Sequence, residues 1–191
     1  ARLVVSGRSG NGIAAHEEEP CLVSRMVSDA GRHNIEAVQL CGVAWCNGGK
    51  SHVDDLSSAD IATMLSQGFK ASSDETVINV ADVVVVCVPT PLSEDGGPDL
   101  GAVIGATKAI ARNLRAGQLV VLESTTYPGT TDDIVKPLLE ESGLKAGVDF
   151  ELAFSPERID PGNPVYGMTN TPKVVGGYKL GKQTSNNLQF T

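Results

Sequence analysis

The sequence predicts an α/β fold built on a doubly wound parallel sheet, and three observations carry that expectation. Apolar, β-branched runs such as "ADVVVVCVP" and "QLVVL" are continuous rather than alternating, as strands covered on both faces are. Between them lie stretches with helical periodicity, and the joints are short. Strand, helix, strand, helix, strand in that order winds into a parallel sheet through right-handed crossovers.

The elements follow in turn from residue 47 onward. "SSADIATMLSQG" sets Ile61, Met64 and Leu65 at helical spacing, with Ser57 or Ser58 as the cap and Gly68 as the stop. Val83 to Val88 forms a buried central strand. In "GPDLGAVIGATKAIARNLRAG" the residues Leu100, Val103, Ile104, Ile110 and Leu114 line one stripe; Asp99 is the expected cap, and Gly117 the expected end. "QLVVLES" is the next strand. "TTDDIVKPLLEESG" is a helix capped by Thr130 or Thr131, with Asp132 and Asp133 in its positive first turn. Pro137 within it either kinks the helix or marks a late start. "DFELAFSPE" alternates Phe150, Leu152 and Phe154 as a strand ending at Pro156, and "KVVGG" is a short last strand.

Residues 1–46 behave differently. "HEEEP" is a solvated charge run and "CLVSRMVSDAG" reads as a short helix, but nothing there alternates into a β-α-β unit. The opening "VVSGRSGNGIAA" places Gly7, Gly10 and Gly12 as G-x-x-G-x-G. That reverses the dinucleotide pattern G-x-G-x-x-G, whose glycines serve a tight turn, close approach to the pyrophosphate and helix–strand packing. No acidic strand end follows at the distance that ribose binding requires.

Composition limits the partners. With 15 Lys and Arg against 23 Asp and Glu, the formal charge is -8, which disfavours nucleic acid as a partner. No apolar run approaches the roughly 20 residues of a membrane span, and no signal peptide is expected at the N-terminus. The four cysteines, Cys21, Cys41, Cys46 and Cys87, contain no C-x-x-C pair. Cys41 and Cys46, flanked by His33 and His52, match no standard zinc spacing, so no metal is expected. Reduced thiols in a cytoplasmic protein are the expectation.

Ligands of open parallel sheets bind outside the carboxyl ends of the strands. Three such ends carry polar loops here: "VPTP", "ESTTYPGTT" and "SPERIDPGN". Any one of them could be a turn or a helix cap, but the fold gathers all three along one edge.

These segments, "VVVVCVPTPLSEDGGPDL", "VVLESTTYPGTT" and "LAFSPERIDPGN", followed by "TPKVVGG", resemble the NAD-dependent nucleotide-sugar 6-dehydrogenases that act on UDP-glucose, UDP-N-acetylglucosamine and UDP-N-acetylmannosamine. The resemblance covers about residues 47–177 and implies a Rossmann-like, incomplete NAD-binding domain there, with 1–46 standing in place of the first β-α-β unit and 178–191 as a divergent tail. It implies oxidation of the sugar CH2OH of a UDP-hexose to a carboxylate, with two hydrides passing to NAD and a cysteine thiolate carrying the carbon as thiohemiacetal and thioester. It implies that Val88, Pro89 and Thr90 border the cofactor, that Ser124 and Thr125 form the family's S-T pair, and that Thr125 contacts NAD and holds a water near the reacting carbon. Glu157 takes the role of base or water-orienting group, and Arg158 and Ile159 line the sugar. A homodimer is the assembly raised for full-length members.

Two departures from the family are expected to matter. The phosphate loop's pattern is missing, which we read as a frame shift in the gene restored near Asn47. The lysine, asparagine and nucleophilic cysteine of the family find no match in these 191 residues. Other readings are a non-catalytic nucleotide-sugar binding fragment, a decayed gene product, and another Rossmann dehydrogenase of β-hydroxyacid type.

Overall fold

The computed structural model describes residues 2–7, 34–39, 47–50, 57–93, 96–156, 165, 171–172 and 174–178, the first two segments as backbone. Among the described residues seven strands form one sheet: β1 (Arg2–Gly7), β2 (Asn34–Gln39), β3 (Lys70–Ser72), β4 (Val83–Val86), β5 (Leu119–Leu122), β6 (Glu151–Phe154) and β7 (Gly176–Gly177). Their order is β3-β2-β1-β4-β5-β6-β7. Every neighbouring pair is parallel except β6 with β7. The sheet reverses direction of winding between β1 and β4, which places the switch point there.

β1 and β2 differ from the sequence reading, which finds no β-α-β pattern in residues 1–46. β1 pairs with both β2 and β4, from Leu3 opposite Val83 to Ser6 opposite Val86. "NIEAVQ" alternates too briefly to stand out, and such a strand is fixed by the ladders on either side rather than by its own residues. β3 is shorter still. Its outer edge is closed by the amide of Asn47, which donates to the Ala71 carbonyl at 2.8 Å and accepts from the Ala71 N–H at 3.0 Å.

Helix α1 (Ser58–Ser66) starts from a capping box. The Ser57 hydroxyl accepts from the Asp60 N–H, and the Asp60 carboxylate accepts from the Ser57 N–H. The Ser57 hydroxyl, donating to the Asp60 carboxylate at 2.7 Å, and after it the Ser57 N–H hold that carboxyl below its ordinary pKa. Ile61 and Met64 are buried as the spacing requires, and Gly68 ends the turn with φ at 98°.

A 3-10 turn, Glu75–Val80, leads into β4. Helix α2 (Gly101–Asn113) buries Val103, Ala106 and Ile110 against the sheet, and Leu100 and Leu114 pack on the rim of that core. Asp99 does accept from the Gly101 N–H at 2.7 Å, but the formal cap is Leu100. The helix closes at Asn113, ahead of Gly117, because Leu114 is already extended.

The third helical stretch winds as a π-turn over Thr130–Val135 before becoming α3 (Lys136–Glu140). Pro137 thus sits at the second position of the α segment, where its missing N–H costs little. Neither threonine caps the stretch. Gly129 precedes it in the left-handed region, and the Thr130 hydroxyl instead donates to the Tyr127 carbonyl at 2.8 Å. The core between the sheet and α2 and α3 is apolar: Ile78, Val84, Val86, Val120, Leu122, Leu139, Phe150 and Leu152 are all at most 1% exposed. At the far edge, β7 lies antiparallel to β6, and the Tyr178 ring sits 5.1 Å from the Lys136 ammonium. No helix among the described residues is long and apolar enough to cross a membrane.

Candidate functional site: the carboxyl ends of three strands

Register decides which loops meet. Val86 lies opposite Leu122, and Leu122 opposite Phe154, so β4, β5 and β6 end at one level. The ladder runs one residue further on each side: the Glu123 N–H donates to the Val86 carbonyl at 2.8 Å and the Ser155 N–H to the Leu122 carbonyl at 2.9 Å. "VPTP", "ESTT" and Ser155–Pro156 therefore leave the sheet together, on the side beyond the switch point. This is the edge where a parallel sheet of this order binds its ligand.

Two hydroxyl contacts tie the first loop to the second. Ser124, 4% exposed, accepts from the Val88 N–H at 3.0 Å and donates to the Val88 carbonyl at 2.9 Å. A serine hydroxyl has a single proton, so in this arrangement Ser124 shapes the edge and has no donor left for a ligand. Thr90 donates to the Thr125 carbonyl at 2.6 Å, which leaves its own lone pairs open toward solvent. Thr125 projects an exposed hydroxyl, without a partner among the described residues. Val88 is buried and Pro89 half-buried, so together they wall the site rather than hydrogen-bond within it.

Directly after β6 comes Ser155, 2% exposed, whose hydroxyl has no hydrogen-bond partner among the described residues. Sequence reasoning passed over this residue, since serine before proline reads as a plain turn. The signal was its place directly after an apolar strand that ends level with two others. Glu157, Arg158 and Ile159 lie outside the described residues, as do Cys41, Cys46, His33 and His52. Cys87, directly after β4, is in no disulfide and is of intermediate exposure. The described residues include no group of three or more His, Cys, Asp or Glu that could hold a metal.

The edge can do three things chemically. It offers acceptors at Thr90, a donor and acceptor at Thr125, and a buried hydroxyl at Ser155, all beside an apolar wall. A nicotinamide ribose, with hydroxyls and a carboxamide around a flat ring, is the kind of group such a surface accommodates. The donor set fits NAD on the side of β4 to β6.

Comparison with known proteins agrees with this geometry. The model of the UDP-glucose/GDP-mannose dehydrogenase family, NAD binding domain, matches residues 42–189. Protein CapL of Staphylococcus aureus is 33% identical over 132 residues, covering 69% of this chain and 31% of CapL. The UDP-N-acetyl-D-glucosamine 6-dehydrogenase of Pseudomonas aeruginosa is 41% identical over 97 residues, covering 50% of this chain and 23% of that protein. Among solved structures, the NDP-N-acetyl-D-galactosaminuronic acid dehydrogenase of Methanosarcina mazei Go1 superposes with a TM-score of 0.76 at 29% identity, over 92% of this chain and 38% of that one. The chain thus spans about a quarter to a third of the length of the curated relatives it matches. A β-hydroxyacid dehydrogenase is no longer the competing reading. The chain belongs to the UDP-glucose/GDP-mannose dehydrogenase family, within the family's NAD-binding domain.

Proposed function

We propose that this chain is the cofactor-binding part of a nucleotide-sugar 6-dehydrogenase, which oxidises the sugar CH2OH of a UDP-hexose to a carboxylate with NAD. Residues 47–177 form its working core, 1–46 a segment that diverges from the family's first β-α-β unit, and 178–191 a divergent tail. The observation that carries the reading is the common level of the β4, β5 and β6 ends, which sets Thr90, Thr125 and Ser155 along one ligand edge. Curated relatives in Pseudomonas aeruginosa and Pyrococcus horikoshii are named for UDP-N-acetylglucosamine and UDP-N-acetylmannosamine, which supports a sugar of that class.

NAD, when bound, supplies the hydride acceptor for both oxidation steps. The chain's own residues do the rest of what falls to this domain. Val88 and Pro89 exclude water from one face of the nicotinamide. Thr90 accepts from a ribose hydroxyl, while Thr125 contacts the cofactor and holds a water beside the reacting carbon. Ser124 keeps the two loops at the spacing these contacts need. Glu157 orients or deprotonates the water that releases the acid, a task suited to a carboxylate, and Arg158 and Ile159 line the sugar. The nucleophilic thiolate and the lysine that stabilises the oxyanion are expected from family sequence that has no counterpart in these residues. The protein is cytoplasmic, and a homodimer is the assembly proposed for its full-length form.

The test is a graft. Residues 47–177 replace their counterpart in a full-length UDP-N-acetylglucosamine 6-dehydrogenase, and NADH formation is followed with UDP-N-acetylglucosamine and UDP-glucose. Turnover in the graft, with slower thioester breakdown in its Glu157→Gln variant under rapid quench, is the expected result. A soluble graft that binds NAD yet forms no NADH with either sugar contradicts the reading.

A further inference from the structure

We propose that the hydroxyl of Ser155, buried and without a partner among the described residues, is a ligand contact for the nicotinamide half of the dinucleotide. The proposal rests on the function given above and deepens it by naming a residue of the site. Buried polar side chains in folded proteins are almost always satisfied, and this molecule follows the rule elsewhere. Thr107 donates to the Val103 carbonyl, Gln118 donates to the carbonyls of Ile78 and Ala81, Ser124 is held by Val88, and Thr130 donates to Tyr127. Ser155 is as buried as these, and among the described residues its hydroxyl alone has no partner.

Its position gives the exception a meaning. Leu152 belongs to the core under α2 and α3, with Phe154 packed against it. By strand alternation Ser155 faces the other side of the sheet together with Ala153. The hydroxyl therefore lies outside that core, at the carboxyl end of the outermost parallel strand. β4, β5 and β6 make up the second mononucleotide half of a sheet with this strand order. Their ends lie at one level, and Thr90, Thr125 and Ser155 follow in the loops that leave them.

The local backbone cannot relieve the orphan. Pro156 has no N–H to offer, and a residue before proline is confined to extended conformations. The Ser155 N–H is fixed on the Leu122 carbonyl. A serine hydroxyl both donates and accepts, which matches a carboxamide or a ribose hydroxyl.

The experiment uses the 191-residue chain and its Ser155→Ala variant. Thermal unfolding is measured without ligand, and amide NMR titrations are run through the millimolar range with NAD, nicotinamide mononucleotide and AMP. The expected result is an unfolding midpoint unchanged or raised in the variant, because no internal hydrogen bond is lost. Affinity for NAD and nicotinamide mononucleotide falls about five- to tenfold, the loss of one hydrogen bond, while that for AMP holds. A lower midpoint in the variant overturns the proposal, since the hydroxyl then has an internal partner. Unchanged NAD affinity, or an equal loss for AMP, overturns it as well. A wild-type chain that binds neither NAD nor nicotinamide mononucleotide contradicts the proposed function itself, and the inference falls with it.

Discussion

The hydroxyl of Ser124 holds both backbone groups of Val88, accepting from its N–H at 3.0 Å and donating to its carbonyl at 2.9 Å. The contact joins residues that are 36 apart in sequence and adjacent at the ends of β4 and β5. It fixes where Pro89 and Thr90 begin, and so where the ligand edge lies.

Ser124→Ala leaves the Val88 N–H and carbonyl buried without that partner. The cost expected is about 1–3 kcal/mol of folding stability, read from the urea midpoint. Hydrogen exchange at the Val88 amide should quicken by more than the global loss explains. Equal midpoints for the two proteins would show that Ser124 does not hold the loop.

Gly129 has φ at 96°, and a Cβ there would stand 2.7 Å from the Asp133 Oδ2 atom. The carboxylate can swing away, so backbone strain dominates, at roughly 1–2 kcal/mol for a left-handed residue with a side chain. Gly129→Ala should therefore lower stability by about that amount, and adding Asp133→Ala should recover little of it. Full recovery in the double variant would assign the cost to the clash instead.

Much of this was legible in the sequence, for reasons specific to each element. Val83–Val86 and Leu119–Leu122 are continuous apolar runs, and only a central parallel strand fits them. Ser57 with Asp60 spells a cap before an amphipathic turn. β2 and β3 were not legible, because a short strand with a charged or small residue at every second place carries its pairing in its neighbours. The π-turn at Thr130–Val135 also escaped, since helical periodicity does not distinguish windings over so few residues. At the site, Ser124 was identified as a cofactor residue by resemblance. Its engagement with Val88 could be read only from three dimensions.

Acid should weaken the fold in a defined direction. Asp60 and Asp74 are held below their ordinary pKa by hydrogen bonds from Ser57 and from Thr76, and Glu140 by the Ala146 N–H. A depressed folded-state pKa gives stability that is fully present above the unfolded value and is lost as pH falls through the folded one. The unfolding midpoint should fall from neutral pH into the acid range, and less steeply in the Asp60→Asn/Asp74→Asn variant. Parallel curves for the two proteins would remove both caps from the pH dependence.

The divergent opening has a test at the level of DNA. The family match begins at residue 42, while the G-x-x-G-x-G of Gly7, Gly10 and Gly12 lacks the dinucleotide pattern. Translating the coding region before Asn47 in all three frames should give a strand followed by G-x-G-x-x-G in one of the others. Its absence from every frame would end the frame-shift explanation.

The position of NAD on the sheet edge is the most direct measurement. Amide NMR of the 191-residue chain, titrated with NAD, should show shifts at Val88, Thr90, Thr125 and Ser155, and none at α1. Affinity should be weak, because a pyrophosphate without the glycine turn lacks its close backbone donors. Shifts confined to those loops at millimolar NAD are the predicted result. Unmoved strand ends at saturating NAD, with the cofactor bound elsewhere or not at all, would contradict the account.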